Sequence, residues 1–258
     1  MTSTTASTRP PLSLTLGSLL RADLAVLGRS WRLQLLNLGL PLFILVVSWL
    51  GRQGRPVAAD TAATLVGVAI TIGPLAAGVM GYSLGIARDR ENGVFQRLRV
   101  TPAPTWTIMT SRLSLHVVVN IAVAIVVATV GAVVLTFSLG VVAYLLLVPA
   151  AIIAGAVFLS LGQAMAALLT SAALVNAVGR VVFIALYLAG FLGLNGGLGT
   201  RFKTIAQWTP VGSTADLFHA VLAAGNWSAT DIGALLACLG YILIFSVLGI
   251  RFFRWDTH

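Results

Sequence analysis

Long apolar runs separated by short polar stretches make up most of this chain. Six runs are long enough for a helix that crosses the hydrocarbon core of a bilayer, which takes about 20 residues. They cover residues 33–50, 61–87, 113–137, 140–169, 172–194 and 232–250. The pattern predicts an all-α membrane protein with six transmembrane helices, arranged as a single transmembrane domain over residues 1–258.

Three segments outside these runs have their own patterns. Residues 1–12 are rich in Ser, Thr and Pro, which predicts a disordered tail. Residues 14–31 place leucines on one helical face, which favours a helix lying in the membrane interface; a simple lead-in to the first run is the alternative. The loop at 195–231 begins with glycines and continues into an amphipathic stretch. We expect an outer helical or re-entrant segment there, near 213–224, capped by Ser213 or Thr214.

Composition supports the membrane assignment and excludes several other classes. The chain is 58% hydrophobic and 9% charged, whereas a soluble domain carries about 25% charged residues. The net charge of +9 does not indicate nucleic-acid binding, because the basic residues cluster at the ends of apolar runs. The single cysteine, Cys238, excludes an intramolecular disulfide and a CxxC site. His116, His219 and His258 fall on different elements, so we predict no metal site, and no catalytic cluster stands out.

The basic residues also predict an orientation. With six crossings both termini lie on one side, and twelve of the sixteen basic residues fall there. These are Arg9, Arg21, Arg29, Arg32, Arg88, Arg90, Arg97, Arg99, Arg112, Arg180, Arg251 and Arg254, against Arg52, Arg55, Arg201 and Lys203 on the other side. Cytoplasmic loops carry the excess of Lys and Arg. We therefore predict a multi-pass protein of the cell (inner or plasma) membrane with both termini in the cytoplasm.

The charged segment at residues 88–102 differs from every other loop. It reads Arg-Asp-Arg-Glu-Asn-Gly-Val-Phe-Gln-Arg-Leu-Arg-Val-Thr-Pro. Acidic and basic side chains alternate around apolar ones, and Pro102 and Pro104 disfavour helix at its end, which predicts a short amphipathic helix at the membrane surface. A second short helical stretch at 106–112 completes a loop of residues 88–112. A positively charged loop that only fixes topology is the alternative, but the ordered pattern favours docking to a cytoplasmic partner.

This segment resembles the coupling-helix region of ABC-2 type transporter permeases, whose pattern is Glu-Arg-Glu-x-Gly-Thr-x-Glu-x-Leu-x-x-Thr-Pro. Asp89, Arg90, Glu91, Gly93, Leu98, Thr101 and Pro102 match the pattern, with aspartate replacing the first glutamate. Val94 stands where threonine is usual, and Gln96 where glutamate is usual. The resemblance extends to the interfacial N-terminal helix, the six runs and the outer loop with its Trp-Thr-Pro at 208–210.

The resemblance implies the permease subunit of an ATP-driven exporter, with a path for an amphiphilic, drug-like, lipid or glycan-type substrate. It implies that this chain binds no cofactor and that ATP and Mg are bound by a separate ABC ATP-binding subunit. A P-loop requires Gly-Lys-Ser/Thr, whereas the single lysine here, Lys203, follows Phe202. The implied docking residues are Asp89, Arg90, Glu91, Gly93, Phe95, Arg97, Leu98, Arg99, Thr101 and Pro102.

The other expected partners are a second permease copy, as a homodimer or a heterodimer, and membrane lipid; nucleic acid is not expected. An ATP-independent carrier or channel is the first alternative. It would be expected to show more charges in mid-membrane than this chain has. A membrane assembly factor is the second alternative.

Small residues recur every four positions in two of the runs. One series is Gly73, Ala77, Gly81 and Gly85, and the other is Ala185, Ala189 and Gly193. Small residues at this spacing let helices approach closely. We predict helix packing at these positions, within one chain rather than across a dimer seam.

Overall fold

The computed structural model describes residues 31–51, 57–94, 105–194, 199–223 and 227–252, with the side chains of 31–37, 105–112 and 194 excluded. Eight helices lie in these ranges. They are α1 (Trp31–Gly51), α2 (Ala59–Glu91), α3 (Thr105–Val134), α4 (Val141–Leu168), α5 (Ala172–Leu194), α6 (Thr200–Gln207), α7 (Pro210–Leu222) and α8 (Ala229–Phe252). The predicted disordered tail and most of the predicted interfacial helix lie outside the described residues.

The helix bounds follow the apolar runs, with differences at the polar ends. Five of the described helices, α2, α3, α4, α5 and α8, are long and apolar enough to cross a membrane, while α1 contributes a shorter apolar segment at Leu38–Gly51. The second helix continues past the predicted end at 87 to Glu91. The third begins at Thr105, so the short stretch predicted at 106–112 is part of α3. Both extensions are mostly polar or charged residues, 88–91 and 105–112, which continue the helices beyond the apolar runs.

The outer segment differs more from its prediction. It holds two helices, α6 and α7, and α7 begins at Pro210 rather than near residue 213. Thr209 caps α7, its hydroxyl accepting a hydrogen bond from the Gly212 amide at 3.1 Å. The predicted caps Ser213 and Thr214 instead lie inside the helix, because Pro210 occupies the first helical position, where its missing N–H costs nothing.

The outer helix α7 is packed into the bundle and does not lie freely on its surface. Leu217 and Phe218 are buried in the same hydrophobic cluster as residues of α2, the helix with which α7 has its most extensive contact. At the crossing, a Cβ on Gly67 would lie 2.8 Å from the carbonyl oxygen of Ala215, so only glycine lets the two backbones approach this closely. A hydrogen bond of 2.9 Å between His219 Nε2 and Asp60 Oδ1 joins the same two helices at the protein surface.

Helix α4 lies at the centre of the arrangement. It packs against α2, α3, α7 and α8, and its contact with α8 is the most extensive. The contact with α2 is closest where Gly78 and Gly162 meet, since a Cβ on either glycine would overlap the backbone of the other helix. Gly78 belongs to a π-helical turn, Ala77–Tyr82, that begins three residues after Pro74. From this turn onward, α2 runs along α4 as far as the hairpin that joins α4 to α5.

Candidate functional site

Arg90, near the end of α2, donates hydrogen bonds to the turn between α4 and α5. Its Nη1 lies 2.9 Å from the carbonyl oxygen of Ala166. Its Nη2 lies 2.6 Å from that of Leu169 and 3.0 Å from that of Thr170. The last carbonyls of a helix lack partners within the helix and carry partial negative charge, so a guanidinium satisfies them well. Arg90 is only 6% exposed, which makes these bonds a buried contact and not a surface ion pair.

Glu91 binds the other side of the same turn. Its Oε1 accepts a hydrogen bond of 2.7 Å from the amide of Ala172, the first residue of α5. The amides at a helix N-terminus carry partial positive charge, which favours a carboxylate there. Ser171 completes the cap by accepting from the Leu174 amide at 3.2 Å. We call the contact of Arg90 and Glu91 with residues 166–172 the Arg90–Glu91 clamp.

Gly93 ends α2 immediately after the clamp. Its φ of 66° is left-handed, a conformation that glycine adopts without strain, and its amide bonds to the Arg90 carbonyl at 3.2 Å. The motif glycine therefore turns the chain out of α2. Asp89 is partly exposed and next to the clamp. The remaining predicted docking residues, Phe95, Arg97, Leu98, Arg99, Thr101 and Pro102, lie outside the described residues.

A continuous contact joins the clamp to the middle of the bundle. Between the clamp and the Gly78–Gly162 crossing, the Tyr82 hydroxyl donates to Gln163 Oε1 at 2.9 Å. The Tyr82 ring also meets the His116 ring of α3 edge-on, with centroids 5.8 Å apart. Over residues 78–91, α2 is thus held to α4 by backbone contact, by a side-chain hydrogen bond and by the clamp.

The small residues predicted at helix contacts have mixed surroundings. A Cβ on Gly73 would lie 3.3 Å from Val123, and one on Gly193 would overlap Ala206, so both lie at close contacts within the chain. Ala77 is also buried. Gly81, Gly85, Ala185 and Ala189 are at least partly exposed, and a Cβ on Gly85 would meet nothing within 4 Å.

Arg90 and Glu91 were predicted to be part of a docking surface, and their bonds to the α4–α5 turn were not predicted. One feature of the sequence did point to such bonds. Residues 169–171 are too few to bond all the polar backbone groups at the end of α4 and the start of α5, so some of these groups need partners from elsewhere in the chain. The charge order offers no further clue, because an Arg–Glu pair at a helix end is common. The crossing at Gly78 and Gly162 was also missed, since these glycines do not belong to the four-residue series.

A second polar group lies at the opposite end of the bundle, on α7. Asp216 lines a small cavity with Gln207, Trp208 and Thr230. The pKa of the Asp216 carboxyl is raised to about 6, mainly by burial; His219 opposes this rise, Asp231 adds to it and Lys203 opposes it. Within the described ranges, no three His, Cys, Asp or Glu side chains are grouped so as to hold a metal ion. The raised pKa makes Asp216 a pH-sensitive part of the fold.

We predict that Arg90→Met lowers the stability of the protein in detergent by about 2 kcal/mol, because the buried carbonyls at 166, 169 and 170 lose a charged donor. Arg88→Met is the matched control, since Arg88 is exposed on the same helix and should change stability by less than about 0.5 kcal/mol. Thermal unfolding of the purified variants measures the difference. Equal melting temperatures for the two variants would contradict the clamp.

We predict that Asp216→Asn stabilises the protein above pH 6 and has no effect at low pH. The folded-state pKa of about 6 lies above the ordinary 3.8, so the folded protein binds the proton more readily than the unfolded chain. The cost of the buried carboxylate is then fully present above pH 6 and disappears as the pH falls towards 3.8. Melting temperatures of variant and parent at about pH 7.5 and pH 4.5 test this. A gain of equal size at both pH values would show that ionisation of Asp216 is not the cause.

A family model described as ABC-2 type transporter matches residues 15–222. A search of curated proteins gave no significant match. The matched region is well over half of the 258 residues and contains α1 to α7, including the Arg90–Glu91 clamp. The chain therefore belongs to the ABC-2 type transporter family, as a multi-pass membrane permease component.

Proposed function

We propose that this chain is the permease subunit of an ATP-driven exporter and that it receives mechanical work through the Arg90 end of α2. The observation that carries the proposal is the clamp, which joins the charged segment to two membrane helices at once. A partner that moves residues 95–102 would pull on α2, and α2 is bound to α4 and to the start of α5. Family membership supports the ATP-driven part of the proposal.

The proposed partner is a separate ABC ATP-binding subunit that docks on residues 88–102 and itself holds ATP and Mg. The side chains for this contact are Phe95, Arg97, Leu98 and their neighbours, because Arg90 and Glu91 are already engaged within the chain. Arg90 and Glu91 then transmit the movement, and the docking residues receive it. A second permease copy completes the proposed assembly.

The proposed cargo is an amphiphilic or lipid-like compound. Several large apolar side chains on α5 and α8 are exposed, as expected for helices that face lipid or a membrane-soluble compound, and few charges lie along the described spans. The excess of basic residues on one side supports a cytoplasmic location for the clamp and for both termini.

The docking and transmission roles predict different variant phenotypes. Leu98→Asp should abolish co-purification with the ATP-binding subunit. Arg90→Met should retain co-purification but lower transport-coupled ATPase activity about tenfold, a loss of about 1.4 kcal/mol of coupling. Arg88→Met, at an exposed position, should change neither. Co-purification and ATPase assays of the reconstituted complex measure both properties.

Two outcomes of that experiment would count against the proposal. If Leu98→Asp leaves complex formation and ATPase stimulation intact, residues 88–102 do not dock the ATPase. If Arg90→Met retains full coupling in a properly folded complex, the clamp stabilises the fold without transmitting movement.

The proposed orientation predicts a labelling pattern in intact cells. With Cys238 replaced by alanine, a cysteine introduced by Arg97→Cys should react with an impermeant maleimide only after the membrane is permeabilised. A cysteine introduced by Arg201→Cys, at an exposed position in α6 on the opposite side, should react in intact cells. Labelling of Arg97→Cys in intact cells would show that the proposed orientation is wrong.

A further inference from the structure

A groove of about 570 Å³ lies between α3, α4 and α8, on the outer surface of the bundle. Its walls are mostly aliphatic, with Val117 from α3, Ile152 and Ala156 from α4, and Ile242 from α8. Ile152 at its surface is 42% exposed, so the groove opens sideways towards the surroundings of the helices. Its volume is within the range of cavities that hold drug-sized molecules, about 300–1,000 Å³.

Two polar groups in this groove have no hydrogen-bond partner among the described residues. The first is the Nε2 amide of Gln163, whose Oε1 accepts from Tyr82. The second is the hydroxyl of Ser246 on α8. Gly249 makes room for the glutamine, because a Cβ there would lie 2.8 Å from Gln163 Cγ. The amide is thus held between Tyr82 and Gly249, with its donor group left for something inside the groove.

Both polar groups lie at the same depth in the membrane. Gln163 is five residues from the end of α4, and Ser246 is six residues from the end of α8, which places each about 8 Å from the helix end. An α4 of 28 residues is about 42 Å long, close to the full thickness of a bilayer with its headgroups. A depth of about 8 Å is therefore near the boundary between headgroups and hydrocarbon. Ester, ether and hydroxyl oxygens of membrane amphiphiles lie at this boundary.

We propose that this groove binds an amphiphile from the adjacent leaflet, with an ester or hydroxyl oxygen at Gln163 and Ser246 and its chain along the aliphatic walls. An unpartnered amide or hydroxyl is costly in hydrocarbon, and an oxygen acceptor at this depth removes the cost. A helix from a second copy is a poorer match, because the backbone carbonyls of a membrane helix are already bonded within that helix. Binding here requires neither ATP hydrolysis nor transport, so it can fail or succeed independently of the exporter proposal.

Photolabelling of the full-length chain tests the groove. The chain is reconstituted in phosphatidylcholine vesicles that contain a trace of a monoacylglycerol with a diazirine in its chain, and labelled residues are mapped by peptide mass spectrometry. Label should concentrate on Val117, Ile152, Ala156 and Ile242 relative to Val181 and Ile184, which are exposed on α5. Unlabelled monoacylglycerol should compete for these sites, and an alkane of equal chain length should compete much less.

Variants separate the polar and apolar contributions. Ser246→Ala removes a hydroxyl that has no partner within the described chain, so it should leave the fold intact and weaken competition by the monoacylglycerol about fivefold. Ala156→Phe should fill the groove and abolish the preferential labelling, whereas Val181→Phe on the exposed face of α5 should not.

Three results would overturn the proposal. The first is equal labelling of the groove and of the α5 face. The second is equal competition by the alkane, which would show that the polar groups are not used. The third is an unlabelled groove together with disulfide crosslinking between two copies carrying Ile152→Cys, which would show that a second copy occupies it.

Discussion

The Arg90 end of the bundle depends on a buried guanidinium that satisfies the carbonyl oxygens at the end of α4. The turn of three residues caps α5 through Ser171 but leaves other polar groups of the two helix ends without partners in the turn. Helix α2 supplies them with two consecutive residues of opposite charge, one for each end of the turn. The positive side chain meets the carbonyl end and the negative one meets the amide end, so each charge agrees with the partial charge it contacts. The order Arg–Glu therefore suits both helix ends, whereas the reverse order would place each side chain next to a partial charge of its own sign.

The sequence predicted most of the architecture because burial in lipid imposes a strong and simple pattern. Each spanning helix needs a long apolar run, and the observed helices α4 and α5 match the predicted runs within a residue. The predictions were weaker outside the hydrocarbon, where α6 was not expected and α7 begins earlier than expected. There, several neighbouring residues can each begin or cap a helix. Pro210 begins α7 with Thr209 as its cap, so Ser213 and Thr214 are not caps.

The candidate site could be located but not understood from the sequence. The charged segment is conspicuous because charges are rare in this chain, and its motif leads to the correct family. The partners of Arg90 and Glu91 are backbone groups about 80 residues away, and a backbone carbonyl has no signature in a sequence. The groove could not be predicted for a similar reason: Gln163 and Ser246 lie on different helices, and only the close approach of α4 to α8 at Gly249 brings them to one groove.

The π-helical turn Ala77–Tyr82 determines which face of α2 meets α4 beyond it. A π turn contains more residues than an α turn, so it changes the rotational phase of everything that follows. Removing one residue would rotate the helix by about 100° and carry Arg90 away from its carbonyl partners, although no residue of the clamp would have changed. The phase of α2 is thus as much a determinant of this site as the identity of its side chains. The number of residues between Pro74 and Arg90 is therefore itself a condition for the clamp.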